Sequence, residues 1–191
     1  MSEFDKQVIQ IASLGVWQIV TGKTMSKQLK QVLDPRWEHK TGLFITLKKS
    51  GNIRGSMGLL DSNTTLAETL FEVAGTAATH DSRHPPIEEN EIKDLEINVT
   101  LLSEIKKLKS ADDIKIKQTG LIISRGANRA VLLPHVASDN NWSSEQFLEA
   151  CCEKAKLSHK AWRDPNTLVE YFTGIELNGG PLLNAIEEFI S

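Results

Sequence analysis

The stretch Leu43-Phe44-Ile45-Thr46-Leu47-Lys48-Lys49-Ser50-Gly51-Asn52-Ile53-Arg54-Gly55-Ser56-Met57-Gly58 decides the fold class. Leu43, Ile45 and Leu47 recur at every second position, the period of a strand with one buried face. Ser50-Gly51-Asn52 then supplies turn chemistry, so Ile53 to Gly58 folds back as an antiparallel partner. Two strands joined this tightly do not begin a regular strand–helix alternation, which would give a parallel sheet.

Working outward, the flanks are helical. Towards the N-terminus, Ser2 can cap a helix whose face carries Phe4, Val8, Ile11, Ala12, Gly15 and Ile19, with Gly22 as its stop. A shorter helical pattern covers Lys27 to Leu33, ahead of Pro35. On the other side, Thr65 and Glu68 have the spacing of a capping box and open a helix with Leu66, Leu70, Val73 and Ala77 on one stripe. That helix ends near Thr79, because Pro85-Pro86 cannot continue it.

Further on, Leu95, Ile97, Val99 and Leu101 alternate with polar residues and predict a half-buried strand. Lys106 to Lys117 reads as a solvated connector. Gly120-Leu121-Ile122-Ile123-Ser124 and Ala130-Val131-Leu132-Leu133 flank Gly126-Ala127-Asn128, a second hairpin. Trp142, Ser143, Gln146 and Phe147 supply a capping box and a hydrophobic staple for a helix with Phe147, Leu148, Cys151 and Ala155 on its inner side. Leu168 to Leu177 reads as extended, and Gly179-Gly180-Pro181 as the opening of a last helix through Leu182, Ile186 and Phe189. Hairpins dominate, so the fold class is α+β: a largely antiparallel sheet with flanking helices. The 191 residues show no dividing linker and read as a single domain over 1–191.

Composition narrows the function classes. The chain carries 22 Lys and Arg against 25 Asp and Glu, a formal net charge of −3, so nucleic-acid binding has no electrostatic basis. Apolar residues make up 40 %, enough for a chain of this length to bury roughly 70 % of its unfolded surface without cross-links. The 2 cysteines, Cys151 and Cys152, are adjacent, which suits neither a disulfide scaffold nor a zinc module. No apolar run approaches the roughly 20 residues of a membrane span, and no secretory leader is visible at the N-terminus. A soluble cytoplasmic protein is the expectation.

Three segments could carry chemistry. In Arg54-Gly55-Ser56-Met57-Gly58, two glycines around a hydroxyl permit close backbone approach, and Arg54 can fork onto a carboxylate or phosphate. The plainer reading is a bulged strand. In His80-Asp81-Ser82-Arg83-His84-Pro85-Pro86, Asp81 and His84 are acid–base candidates. His80, Asp81 and His84 include metal-ligating types, but the prolines spoil a helical spacing, so no metal and no cofactor are expected. The plainer reading there is an Asx-type turn at Asp81, with Arg83 on a carbonyl or carboxylate. In Leu132-Leu133-Pro134-His135-Val136, His135 follows a strand end and could face a site. Ser56 as a nucleophile needs a base and an orienter, which His80, His84, His135, Asp81 or Glu68 could supply in type. The two cysteines sit beside Phe147 and Leu148 and read as inert, and the four tryptophans as core or staple residues.

Taken in order, these segments resemble the AMMECR domain family, protein A of the AmmeMemoRadiSam system. The resemblance rests on Gly42-Leu43-Phe44-Ile45, on Ile53 to Gly58 against the family's Leu-Arg-Gly-Cys-Ile-Gly, and on Asp81 to Pro86 against Asp-x-Arg-Phe-x-Pro. Asn98 to Ser103, Gly120 to Ile123, Leu132 to Val136, Trp142 and Lys154 to Leu157 continue it. It implies two subdomains with a cleft between them, and association with a Memo-like protein and a radical SAM protein. It brings no established reaction. Ser56 stands where the family has cysteine, Met57 replaces isoleucine, His84 phenylalanine and Lys156 glycine. A serine hydroxyl is a much weaker nucleophile than a thiolate.

The resulting expectation has two branches. In one, an enzyme or enzyme component acts on a small polar or anionic substrate, with Ser56, Asp81 and His135 catalytic and Arg54, Gly55, Gly58 and Arg83 binding substrate. In the other, the chain is a non-catalytic binding or adaptor protein for the Memo-like or radical SAM partner, motivated by the missing cysteine. The sequence leaves homo-oligomerisation open.

Overall fold

The computed structural model describes residues 1–25 and 33–190. Two compact units emerge: Met1–Leu101 with Glu176–Ser191, and Leu102–Ile175. The strand pairings are antiparallel throughout those resolved. The fold is therefore α+β with an antiparallel sheet.

In the first unit, helix α1 (Glu3–Thr21) starts on a Ser2/Asp5 capping box and stops at Gly22 in the left-handed conformation. Strands β1 (Leu43–Lys49) and β2 (Asn52–Leu59) form the hairpin, with Ser50 and Gly51 both at positive φ in its turn. Such a turn matches the right-handed twist of the flanking strands. Helix α2 (Leu66–Thr79) opens on the Thr65/Glu68 box. Strand β3 (Leu95–Leu102) pairs with β1, placing Leu43 opposite Leu101 and Ile45 opposite Val99. Leu43, Ile45, Leu47, Ile97 and Val99 are fully buried in one core with Val8, Ala12, Leu70 and Ala74 of the helices. Trp37, in a single 3₁₀ turn (Pro35–Glu38), closes the core against Phe4, ring centroids 4.6 Å apart. The helical pattern read over Lys27 to Leu33 lies, apart from Leu33, outside the described residues.

The second unit holds β4 (Lys106–Lys107), β5 (Thr119–Arg125) and β6 (Asn128–Leu132), with helices α3 (Pro134–Asp139) and α4 (Ser144–Lys154). Strand β7 (Leu168–Pro181) pairs with β5 and β4 through its first half. Leu121, Ile123, Phe147, Leu148, Cys151 and Cys152 are fully buried in this unit's core. Burial pushes the Cys151 thiol up to about 12 and Cys152 in the same direction, so neither is a thiolate at neutral pH.

Three sequence expectations are corrected here. Lys106 to Lys117 is no plain connector: it contains β4 and a 3₁₀ turn, and Ile114 is buried. His135 does not simply trail a strand end: Pro134 occupies the first turn of α3, where its missing N–H has no partner to lose, and His135 rides on that helix. Gly179-Gly180-Pro181 extends β7 instead of opening a helix, and only a 3₁₀ turn (Leu182–Ala185) and a short α5 (Glu187–Ile190) follow.

Candidate functional site

Of the predicted site residues, Gly55, Ser56 and Gly58 lie on β2, and Asp81 and Arg83 reach its outer edge. Thr46 faces Ser56 across the hairpin, while Gly55 and Met57 sit opposite Leu47 and Ile45. Alternation directs the N–H and C=O of Ser56 away from β1. Those two groups are the exposed edge that a sheet must cover.

The loop after α2 covers them. The Ser56 N–H donates to Asp81 Oδ2 at 2.8 Å, and the Ser56 carbonyl accepts from Arg83 Nη2 at 3.3 Å. The two side chains thus replace a neighbouring strand. Arg83 also forks onto Asp81, with Nε to Oδ1 at 2.9 Å and Nη2 to Oδ2 at 2.7 Å, and its backbone N–H closes the Asx turn at 3.1 Å. Asp81 is only 6 % exposed. The Arg83 fork, with the Arg83 and Ser56 N–H groups, holds the Asp81 carboxyl well below the usual carboxylate range.

Arg54 belongs to the same segment but not to the same pair. The register slips between Leu47 and Lys48, leaving Arg54 as the extra residue of a bulge. The bulge sends its guanidinium to Glu91, with Nε to Oε1 at 3.0 Å and Nη2 to Oε2 at 2.8 Å. It also donates to the carbonyls of Pro85 and Pro86 at 2.8 and 3.3 Å. Lys49 adds a third cationic contact to Glu91 at 2.9 Å. Led by the Arg54 bonds, these hold Glu91 down at about 2. Sequence reasoning missed Glu91, one acid among several in Ile87 to Glu91. Only the bulge geometry singles it out.

Gly55 and Gly58 also meet protein atoms. A Cβ on Gly55 would run into the Ala77 carbonyl of α2, and one on Gly58 into the ring of Phe44. Ser56 Oγ lies 3.0 Å from Thr46 Oγ1, hydroxyl to hydroxyl. Among the described residues, no histidine or carboxylate is hydrogen-bonded to that oxygen. His80 Nδ1 pairs with Thr79 Oγ1 at 2.6 Å, and His84 donates its backbone N–H to the Asp81 carbonyl at 3.0 Å. His135 lies in the second unit, half-buried near the start of α3, and the bonds joining Ser56, Asp81 and Arg83 are made without it. Among the described residues, no three His, Cys, Asp or Glu are placed to hold a metal ion.

The ordered segments that build this edge match a known family. The profile of the AMMECR1 family covers residues 9–177. The chain belongs to the AMMECR1 family. A protein of Methanothermobacter thermautotrophicus is 34 % identical to it over 87 % of this chain and 90 % of that one. A protein of Methanosarcina mazei is 37 % identical over 68 % of each chain. The crystal structure of uncharacterized protein PH0010 from Pyrococcus horikoshii superposes with a TM-score of 0.82 at 27 % identity, covering 92 % of this chain and 91 % of that one. The AMMECR1 family has no established biochemical activity, so these likenesses carry fold and membership. No helix among the described residues is long and apolar enough to cross a membrane.

Proposed function

We propose that this AMMECR1-family chain is a non-catalytic binding component whose Arg-Gly-Ser-Met-Gly segment acts as a braced platform. One observation carries the reading: Asp81 uses both carboxylate oxygens on Arg83 and on the Ser56 and Arg83 backbone. With both oxygens occupied by protein donors, this carboxylate presents no free position from which to exchange a proton with a substrate. Arg54 is similarly occupied by Glu91 and two carbonyls, with its side chain 16 % exposed. An exposed apolar pair adds support. Phe71 of α2 is 39 % exposed and Ile19 of α1 is 55 % exposed, and Ile19 lies against Gly75, one turn beyond Phe71.

The partners that suit the family resemblance are a Memo-like protein and a radical SAM protein, in the cytoplasm, where two buried free thiols stay reduced. Size-exclusion chromatography of the purified chain with each partner tests this. A co-eluting complex that survives Ser56→Ala and is lost on Phe71→Glu is the expected result. Two non-interacting proteins would defeat the reading.

A second reading, an enzyme acting on a small anionic substrate, is favoured by Arg83 alone. Its side chain is 60 % exposed, with Nη1 directed to no hydrogen-bond partner among the described residues. Turnover abolished by Arg83→Lys with the fold intact would favour that branch.

A further inference from the structure

Helices α1 and α2 cross at small residues. A Cβ on Gly15 would meet the Phe71 carbonyl and the Ala74 methyl of α2, while Gly75 of α2 lies under the Ile19 side chain of α1. The two backbones therefore approach closely, and the side chains beside the crossing are what it displays. Ile19 stands one turn beyond Gly15, and Gly75 one turn beyond Phe71, so Ile19 and Phe71 are neighbours across the junction. Both are exposed large apolar side chains.

The charge around this apolar line is one-sided. Glu68 and Glu72, either side of Phe71 in the sequence, are both exposed. Glu68 Oε2 accepts from the Thr65 N–H at 3.0 Å and its hydroxyl at 2.7 Å, neutral donors that leave its charge uncompensated. Glu72 has no ion-paired cation among the described residues. Lys23, just past the end of α1, is taken by Glu89 at 2.6 Å, and Gln18 and Gly22 beside Ile19 carry no charge. A line between two helices suits a third helix, whose side-chain ridge fits the groove. An extended segment gains nothing there, because a helix flank offers no unpaired N–H or C=O for a strand to bond. A second copy packed about a two-fold axis would set Glu72 against the acids of its twin, and an anionic bilayer meets the same repulsion.

We infer that the Ile19–Phe71 face docks a basic amphipathic helix of a partner protein. Apolar side chains three or four positions apart on that helix seat on Phe71 and Ile19, and its Lys or Arg residues pair with Glu72 and Glu68. The inference rests on the binding reading above and specifies the chemistry of the element that docks.

Amide NMR titration of the full chain tests it with three synthetic helical peptides. One carries a leucine stripe flanked by lysines, one the same stripe flanked by glutamates, and one the lysine composition reordered so that the stripe is lost. The lysine-flanked peptide is expected to give saturable shifts centred on Ile19, Phe71, Glu72 and Gly75, weakening severalfold as salt rises. The reordered peptide binds about tenfold more weakly or less, and the glutamate-flanked one does not bind. Glu72→Lys, an exposed change, weakens the lysine peptide about fivefold and gives the glutamate peptide shifts at the same amides. Glu104→Ala in the other unit changes neither. Shifts centred elsewhere on the chain, equal binding of the two charged peptides, or indifference to Glu72→Lys overturns the inference. So does dimerisation that moves the same amides without peptide, or sedimentation with phosphatidylserine vesicles that is lost on Phe71→Ser. Co-elution with a Memo-like or radical SAM protein is read separately. A complex lost on Phe71→Glu with no peptide binding defeats this inference alone, and peptide binding without either complex defeats only the choice of those partners.

Discussion

The two hairpins of this protein are built alike and finished differently. β1–β2 is followed by α2 on a Thr65/Glu68 capping box, and β5–β6 by the short α3 and then by α4 on a Ser143/Gln146 box. Each hairpin leaves an outward carbonyl on its last strand. On β2 that carbonyl, with the N–H of the same residue, is taken by the ion pair of buried Asp81 and exposed Arg83. On β6 the Val131 carbonyl takes one bond, from the exposed Lys154 ammonium at 2.9 Å. A lysine is enough to blunt an edge against further pairing. The first edge holds far more polar structure than blunting requires, and that surplus fixes the position of Ser56 on the sheet.

The strongest way to break this contrast is Asp81→Ala. It removes the charged acceptor of the Ser56 and Arg83 N–H groups and the counter-ion of Arg83, and should cost about 2–4 kcal/mol in chemical denaturation. A cost below that of Lys154→Met would show the two edges to be equivalent. Gly55→Ala follows. Its methyl would meet the Ala77 carbonyl, a backbone atom that cannot swing away, so a loss of about 1–3 kcal/mol in unfolding free energy is expected.

Glu91→Gln comes next, at about 1–2 kcal/mol at neutral pH, because bonds to the Arg54 and Lys49 charges weaken. Its pH dependence sharpens the contrast. Glu91 titrates lower in the folded chain than its ordinary 4.5, so its contribution is fully present above that value and disappears as the pH falls towards about 2. Asp81 behaves likewise, with its loss extending to still lower pH. Thermal melts of Glu91→Gln should therefore lose part of the acid-side slope seen in the parent, while melts of Lys154→Met keep it. Lys154→Met is the smallest change, about 0.5 kcal/mol or less, as expected for an exposed side chain giving a single bond.

Local signals made most of the elements legible. The alternation in Leu43 to Leu47, the turn at Ser50-Gly51, the cap at Ser2 and the capping boxes at Thr65 and Ser143 each act over a few residues, and the structure has them all. Misreadings occurred where proline or glycine had two uses. Pro134 could end a strand or start a helix, and Gly179-Gly180-Pro181 could break a strand or continue it. The Asx turn at Asp81 was legible for the same local reason. Its attachment to Ser56, 25 positions away, was not, because nothing local reports which strand edge a loop will cover. Thr46 was within reach: alternation alone puts it on the outward side of its strand.

The order of the chain also dictates an order of assembly. The first unit is interrupted, since Leu102–Ile175 stands between its main part and Glu176–Ser191. Leu177, Leu182, Ile186 and Phe189, all buried in its core, are translated after the whole of the second unit. The second unit is contiguous and can close its core while the ribosome is still working, whereas the first must hold an unfinished core until the last turns emerge. A stop codon after Ile175 would spare the sequence of every residue in the Asp81 clamp and still leave that clamp on an open core.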